Sequence, residues 1–388
     1  MGAFCSLVLR LLFYGSSCCQ ERTRPAGSNS SPDGRRISPR TTTARNKSRG
    51  KAPTAPAVFR FNVAKKWDCL SVTYAFDMVR CMHDFKRFGV IFGECLVDDF
   101  GDSQRLGGAP FNVARHLNGL GVPAIFISQV GDDINGRNIL DHMRQWQMPL
   151  SGVAVSKTLP TGRVEVLPDP VEGHRFEILP HQAYDYIPFP EKLPQPVSWL
   201  YHGSLALREI GTSRQTLQKL ASISNKRFLD INLRAPWWTP DRLAPLLTDS
   251  SILKCNVDEL ETLLAVFSLR SGPVLRDKMR VFADRFSLES MLLTCGPEGS
   301  AYWDHNDFYE AAAEPVNNLV NTVGAGDAFS AAWLWSLLRG ESPELRLRRG
   351  GELAAAVCAL QGATPDSLDF YESFMSRWTQ GKSLSKPM

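Results

Sequence analysis

The 388-residue sequence holds nine cysteines and seven histidines but no C-x-x-C pair and no histidine spacing of the H-E-x-x-H kind. That excludes zinc-finger and disulfide-scaffold classes; the thiols, scattered from Cys5 to Cys358, read as reduced and mostly buried. No run approaches the ~20 apolar residues that span a bilayer, and the stretch 3–15 is short and broken by Arg10. A Walker A pattern, G-x-x-x-x-G-K-[ST], is missing too. Acidic residues are scarce at the start: the first 66 positions carry thirteen Lys or Arg against Glu21 and Asp33 alone. The net charge of +4 therefore belongs to this leader, the remainder being net acidic, and it implies no nucleic-acid partner.

Positions 20–56 are rich in Arg, Ser, Thr, Pro and Gly and have little to bury, so residues 1–86 are expected to form a basic, largely disordered leader. Its composition suits an organelle-import segment, and Met1-Gly2 with Cys5 and Ser6 also fits lipidation. Without such an address the protein is expected to be cytoplasmic.

From residue 87 to about 380 the chain alternates short apolar runs with longer amphipathic ones. Strands are expected at 88–92, 124–130, 199–201, 227–230, 252–254 and 291–294. A helix is expected over 110–121, opened by Pro110 and closed by Gly121. This rhythm predicts an α/β fold with a mostly parallel central sheet. Residues 163–166 and 175–178 instead alternate polar with apolar around a turn at 168–173, which predicts an outlying antiparallel hairpin, a natural lid.

The strongest local signal is Asn321-Thr322-Val323-Gly324-Ala325-Gly326-Asp327-Ala328-Phe329. The residues 317–320 before it read as a strand end, and 327–338 as an apolar helix. Backbone N–H groups of Gly324, Ala325, Gly326 and Asp327 at a helix N-terminus form a nest for an anion, such as the charge on a transferred phosphoryl group. Asp327 follows the nest, placed to take a proton from an attacking hydroxyl. The same pattern also occurs as a plain glycine turn with Asp as helix cap. Asp230, Asn232 and Arg234 alternate along a strand end and are expected to share one face. Asn256 and Glu259 lie three apart at a strand-to-helix transition, which is also ordinary capping spacing.

Taken in order, these pieces resemble the PfkB/ribokinase family of carbohydrate kinases over residues 87–375. The G-A-G-D-x-F run is similar to that family's signature. Leu106-Gly107-Gly108-Ala109-Pro110-Phe111-Asn112 resembles its G-G-x-x-x-N sugar element, and Gly93-Glu94-x-x-x-Asp98 its first-strand segment. Asp230-x-Asn232-x-Arg234, Asn256-x-x-Glu259, Thr294-x-Gly296-x-x-Gly299 and Gly362-Ala363 match further elements.

The resemblance implies a ribokinase-like three-layer α/β/α sandwich with a small β lid, its strands around 98–108 and 161–184. ATP and Mg²⁺ are the implied cofactors. Asp327 would be the base and Gly324, Ala325 and Gly326 the anion hole. Asp98, Gly107, Gly108, Asn112, Arg163, Glu165 and Arg234 would bind the sugar. Asn256, Thr294, Gly296, Gly299, Gly326 and Gly362 would bind ATP, and Glu259 would hold Mg²⁺ through water.

The G-E-x-x-x-D opening is most like the fructokinase-type branch, so the expected activity is ATP-dependent phosphorylation of a sugar hydroxyl, with a homodimer through the lid as a further expectation. A nucleoside kinase of the same fold is the alternative, with Phe111 and Phe176 available as a wall for a base. A non-catalytic sugar sensor is a second alternative, which the intact Gly326 and Asp327 disfavour. Family members activated by a monovalent cation carry Asp where Asn321 stands and Thr or Ser where Val323 stands, so the resemblance implies no dependence on K⁺.

Overall fold

The computed structural model describes residues 88–169, 173–305, 307–316 and 318–380; the expectations for the leader lie outside them. Nine strands form the central sheet. In chain order they are β1 (Gly89–Phe92), β4 (Ala124–Gly131), β5 (Val153–Ser156), β8 (Val197–His202), β9 (Ser224–Asp230), β10 (Ile252–Asn256), β11 (Ser290–Thr294), β12 (Ser300–Asp304) and β13 (Phe308–Ala311). Their spatial order is β13-β12-β11-β10-β9-β8-β1-β4-β5. The seven strands from β11 to β5 run parallel, and β12 and β13 add an antiparallel edge.

The central strands are apolar on both faces because helices cover both. In β1, Ile91 joins one core with Phe111, Met143, Trp333, Leu347 and Phe374, while Val90 and Phe92 join another with Leu200 and Leu220. The first core packs α1 (Ala109–Gly119), α2 (Ile134–Gln145), α7 (Ala325–Leu338), α8 (Pro343–Val357) and α9 (Glu372–Gln380) on one side of the sheet. On the other side lie α3 (Thr212–Ser222), α4 (Pro240–Thr248), α5 (Val257–Val266) and α6 (Leu275–Phe286). The three-layer sandwich expected from the βα rhythm is thus observed. Helix α7 is apolar nearly all round because it is sandwiched between α1 and α8.

The small lid that the resemblance implied around 98–108 and 161–184 is a second sheet, and the hairpin read from residues 163–178 is one half of it. Strands β2 (Leu96–Asp99), β3 (Gln104–Gly107), β6 (Gly162–Asp169) and β7 (Gly173–Ile178) form one sheet in the order β3-β2-β6-β7. Two antiparallel hairpins are joined by a parallel β2/β6 pair, and residues 183–186 beyond them form a short 3₁₀ turn. The expectation of a strand end at 317–320 fails. Leu319 and Val320 form no strand; they are exposed, and the N–H groups of Val320 and Asn321 bond the Cys358 carbonyl instead. Asn317 lies outside the described residues.

Candidate active site

Chemistry-bearing residues collect beyond the carboxyl ends of the parallel strands, where open α/β sheets bind ligands. Glu94 follows β1, Asp230 closes β9, Lys254 and Asn256 lie on β10, and Thr294 closes β11. The chain enters the lid through Gly93 at φ +153, where a Cβ would stand 2.5 Å from the Pro110 ring, and returns through Gly108 at φ +106, where a Cβ would stand 2.5 Å from the Glu94 carbonyl. Both glycines are required by close approach and by backbone angle.

Helix α1 starts directly after Gly108, with Pro110 in its first turn. Its Asn112 is buried and donates from Nδ2 to Asp327 Oδ2 at 2.8 Å, while its Oδ1 has no hydrogen-bond partner among the described residues. Gly324, at φ +76, caps α7, so Asp327 stands in the first helical turn. The Ala325 N–H bonds the Thr322 carbonyl at 3.2 Å, leaving Gly326 and Asp327 as the first-turn donors without an intrahelical acceptor. The nest expected over four N–H groups is accordingly narrower, because the turn itself consumes that of Ala325.

Beneath the nest lies a buried polar network. Lys254 Nζ meets Asp230 Oδ1 at 3.0 Å, and Asp230 Oδ2 accepts from Tyr201 Oη at 2.8 Å and Ser330 Oγ at 2.9 Å. A Cβ on Gly326 would lie 3.2 Å from Lys254 Nζ, so the ammonium sits directly against the turn of Gly324–Asp327. Burial works against that charge, but the Asp230, Glu259 and Asp327 carboxylates outweigh it and hold the Lys254 pKa above its ordinary value.

Asp327 shows the opposite balance. Burial, with the Asp230 charge adding to it, pushes its pKa to about 7 against the Asn112 hydrogen bond, Lys254 and Arg234. Burial also raises Glu94 to about 7 and Asp98 to about 6, each partly offset by Arg234. Glu94 Oε2 is buried and has no hydrogen-bond partner among the described residues. Three buried carboxyls with raised pKa values all feel the charge of Arg234, the kind of grouping that marks functional sites.

The structure brings Asp98, Gly107, Gly108, Asn112 and Arg234 toward Asp327. Gly107 leaves room for the Asp98 carboxylate, which would lie 2.6 Å from a Cβ there. Arg163 and Glu165 are not brought in. Across β2/β6, Asp98 is level with Val164, whereas Arg163 and Glu165 share the opposite face with Asp99. There Arg163 pairs with Asp99 at 3.2 Å and with Glu165 at 3.0 Å. Nor do Asp230, Asn232 and Arg234 share one face. The strand ends at Asp230, and Asn232 at φ +40 turns the chain, so Asp230 is buried and Arg234 exposed.

Asn256 and Glu259 form a capping box on α5: Asn256 Oδ1 accepts from the Glu259 N–H at 2.7 Å, and Glu259 Oε2 from the Asn256 N–H at 2.9 Å. Glu259 Oε1 also accepts from the Leu233 N–H at 2.7 Å. Thr294 leads into a tight turn with Gly296 at φ +56 and Gly299 at φ +110, where a Cβ would overlap the Ala311 carbonyl. Gly362 lies in the segment after α8, next to Ala363, which touches Gly324.

Sequence reasoning missed Lys254, Asp230, Tyr201 and Ser330 as one network, since they come from β10, β9, β8 and α7. It also missed an exposed apolar strip, Val316, Leu319, Val320 and Val323, leading into the anion turn. The signal for that strip was present, as apolar residues at 316, 319, 320 and 323, a helical i, i+3, i+4, i+7 spacing immediately before the Gly324 turn.

Comparison with known proteins fits this geometry. The family described as pfkB family carbohydrate kinase matches residues 79–369. A fructokinase of Salmonella typhimurium is 30% identical over 263 residues, covering 65% of this chain and 85% of that protein. An aminoimidazole riboside kinase of the same species is 25% identical over 290 residues, covering 71% and 88%. The crystal structure of a Vibrio cholerae O395 fructokinase double mutant, in a fructose, ADP and potassium ion bound form, superposes with a TM-score of 0.61. It has 21% identity and covers 72% of this chain and 94% of that one.

Proposed function

Because the chain belongs to the pfkB family of carbohydrate kinases and is an ATP-dependent sugar kinase, we propose that it phosphorylates a hydroxyl of a fructose-like sugar, with Asp327 as the base. The observation that carries this reading is the Asp327 carboxylate. It is buried at the first turn of α7, oriented by Asn112 and poised by burial near pH 7. A base with its pKa near the working pH combines the right protonation state with useful basicity.

The sugar lies between α1 and the lid, where Asp98 and the unpartnered Asn112 Oδ1 and Glu94 Oε2 are acceptors suited to hydroxyl donors. Asp327 takes the hydroxyl proton as the sugar oxygen forms its bond to the γ-phosphorus and the bond to the ADP oxygen breaks. The N–H groups of Gly326 and Asp327, with Lys254 behind them, stabilise the negative charge in flight. Arg234, exposed beside the site, adds positive charge from the open side. Thr294, Gly296, Gly299 and Gly362 frame the nucleotide, and the strip from Val316 to Val323 supplies an apolar wall for its base.

Mg²⁺ binds phosphate oxygens and waters and asks the protein for only one or two carboxylates. Glu259, its carboxylate held by the N–H groups of Leu233 and Asn256 yet retaining free lone pairs, fits that demand with Asn256 beside it. When bound, the ion would neutralise phosphate charge. The lid excludes water and so limits hydrolysis of ATP, and pairing of two lids would give a homodimer.

One feature favours a nucleoside-type substrate: Phe176 is 56% exposed on the lid face that carries Asp98. Phe111, by contrast, is fully buried against Phe126 and offers no wall to a base. ADP release should be measured with fructose, other hexoses, ribose, 2-keto-3-deoxygluconate and nucleosides. Turnover with a sugar supports the proposal, turnover with nucleosides alone replaces it, and silence from protein that binds ATP rejects it.

A further inference from the structure

His116 has no part in the mechanism above, yet it is fully buried four residues after Asn112, on the same face of α1. Its Nε2 lies 3.0 Å from the Ala363 carbonyl and its Nδ1 2.8 Å from Tyr371 Oη. A carbonyl only accepts, so Nε2 carries the proton and Nδ1 accepts from the tyrosine. Tyr371 is itself immobilised: it is buried, and its ring lies where a Cβ on Gly119 would stand 2.2 Å away.

Ala363 packs against the anion turn. A Cβ on Gly324 would stand 2.4 Å from Ala363 Cβ and 2.5 Å from its Cα, so the two backbones are in direct contact. The segment carrying Ala363 is gripped at two more points. Asn321 Nδ2 donates to the Leu360 carbonyl at 2.7 Å, and Arg105 of lid strand β3 donates to the Gln361 carbonyl. Helix α1, the lid and the anion turn thus meet at residues 360–363, with His116 as the buried contact.

We propose that His116 is a positioning residue: it holds Ala363 against Gly324, so that the helix orienting the base through Asn112 and the turn stabilising the phosphoryl group form one rigid unit. The neutral imidazole suits this task, since it donates and accepts in fixed directions without bringing a charge into the core. This inference rests on the kinase reading of the site.

The test compares His116→Leu, His116→Gln and Tyr371→Phe with the wild type, measuring melting temperature, ATP binding by calorimetry, and kcat and KM for sugar and ATP. Loss of the Ala363 bond in His116→Leu should lower kcat about tenfold, the equivalent of one buried hydrogen bond, with sugar KM little changed. His116→Gln keeps an N–H donor of similar reach and should recover most of that loss. Tyr371→Phe should give a smaller loss, because the imidazole keeps its carbonyl partner but not its orientation.

Lower melting temperatures with wild-type kcat per folded molecule would reduce His116 to a structural residue and overturn the proposal. If the leucine variant does not fold, an unchanged kcat in Tyr371→Phe overturns it equally. A wild type that binds no ATP would reject the kinase reading first and this inference with it, whereas normal wild-type turnover beside unaffected variants rejects this inference alone.

Discussion

Asp327→Asn separates chemistry from structure at this site. The amide matches the carboxylate in size, and its oxygen can keep the 2.8 Å bond from Asn112 Nδ2. That leaves an NH₂ where a proton acceptor is needed. Removing a general base costs about 10²- to 10⁴-fold in rate, equal to about 3–5.5 kcal/mol of barrier.

Stability should move the other way. The folded pKa of about 7 lies above the ordinary 3.8, so the wild-type carboxyl holds its proton longer folded than unfolded. Its contribution is complete below the unfolded pKa and is lost as pH rises toward 7, after which the buried charge costs on the order of 4 kcal/mol. The amide carries no such cost, so the variant should gain in melting temperature at pH 8 and not at pH 4. Coupled ADP-release kinetics, calorimetric ATP and sugar binding, and scanning calorimetry at both pH values decide the matter. Turnover within about tenfold of the wild type refutes the base assignment. Loss of turnover together with loss of ATP binding refutes the claim that the loss is chemical.

Wild-type kcat/KM should rise as pH climbs through about 7, since Asp327 acts ionised; Glu94→Gln removes a coupled carboxylate and should move the midpoint down, and a flat profile would contradict both. Gly324→Ala places a Cβ against Ala363 at positive φ and should lower kcat by about 100-fold or more, seen as lost turnover in folded protein. Lys254→Met leaves Asp230 buried without its ammonium and should destabilise by about 3–5 kcal/mol in denaturant titration; an unchanged midpoint would show that Tyr201 and Ser330 suffice. Exchanging K⁺ for Na⁺ should leave kcat unchanged, because the neutral Asn321 amide already joins Leu360 to Val323.

What could be read from the sequence was what is local along the chain. The turn of Gly324, Ala325, Gly326 and Asp327 lies within one strand-to-helix passage, and its glycine angles and helix start follow from adjacent residues. The βα rhythm is equally local, and it carried the parallel sheet and the two helical layers. The errors begin where a face depends on pairing between distant strands. Arg163 and Glu165 alternate correctly within β6, but which face they occupy is set by the register against β2, some sixty positions earlier. There Asp98 meets Val164, and a shift of one residue would have exchanged the faces.

The exposed Leu319 and Val320 fail for a related reason. Apolar residues next to a glycine turn read as sheet in sequence, but here the N–H groups of Val320 and Asn321 go to the carbonyl at the end of α8. The network of Asp230, Lys254, Tyr201 and Ser330 lies furthest from sequence reading, since each member belongs to a different element and the bonds that join them run between residues distant in the chain. A buried carboxylate and a buried ammonium are each costly alone. Their cost is met only when four elements close together under Gly326, so the charge beneath the anion turn exists as a property of the folded sheet and of no segment within it.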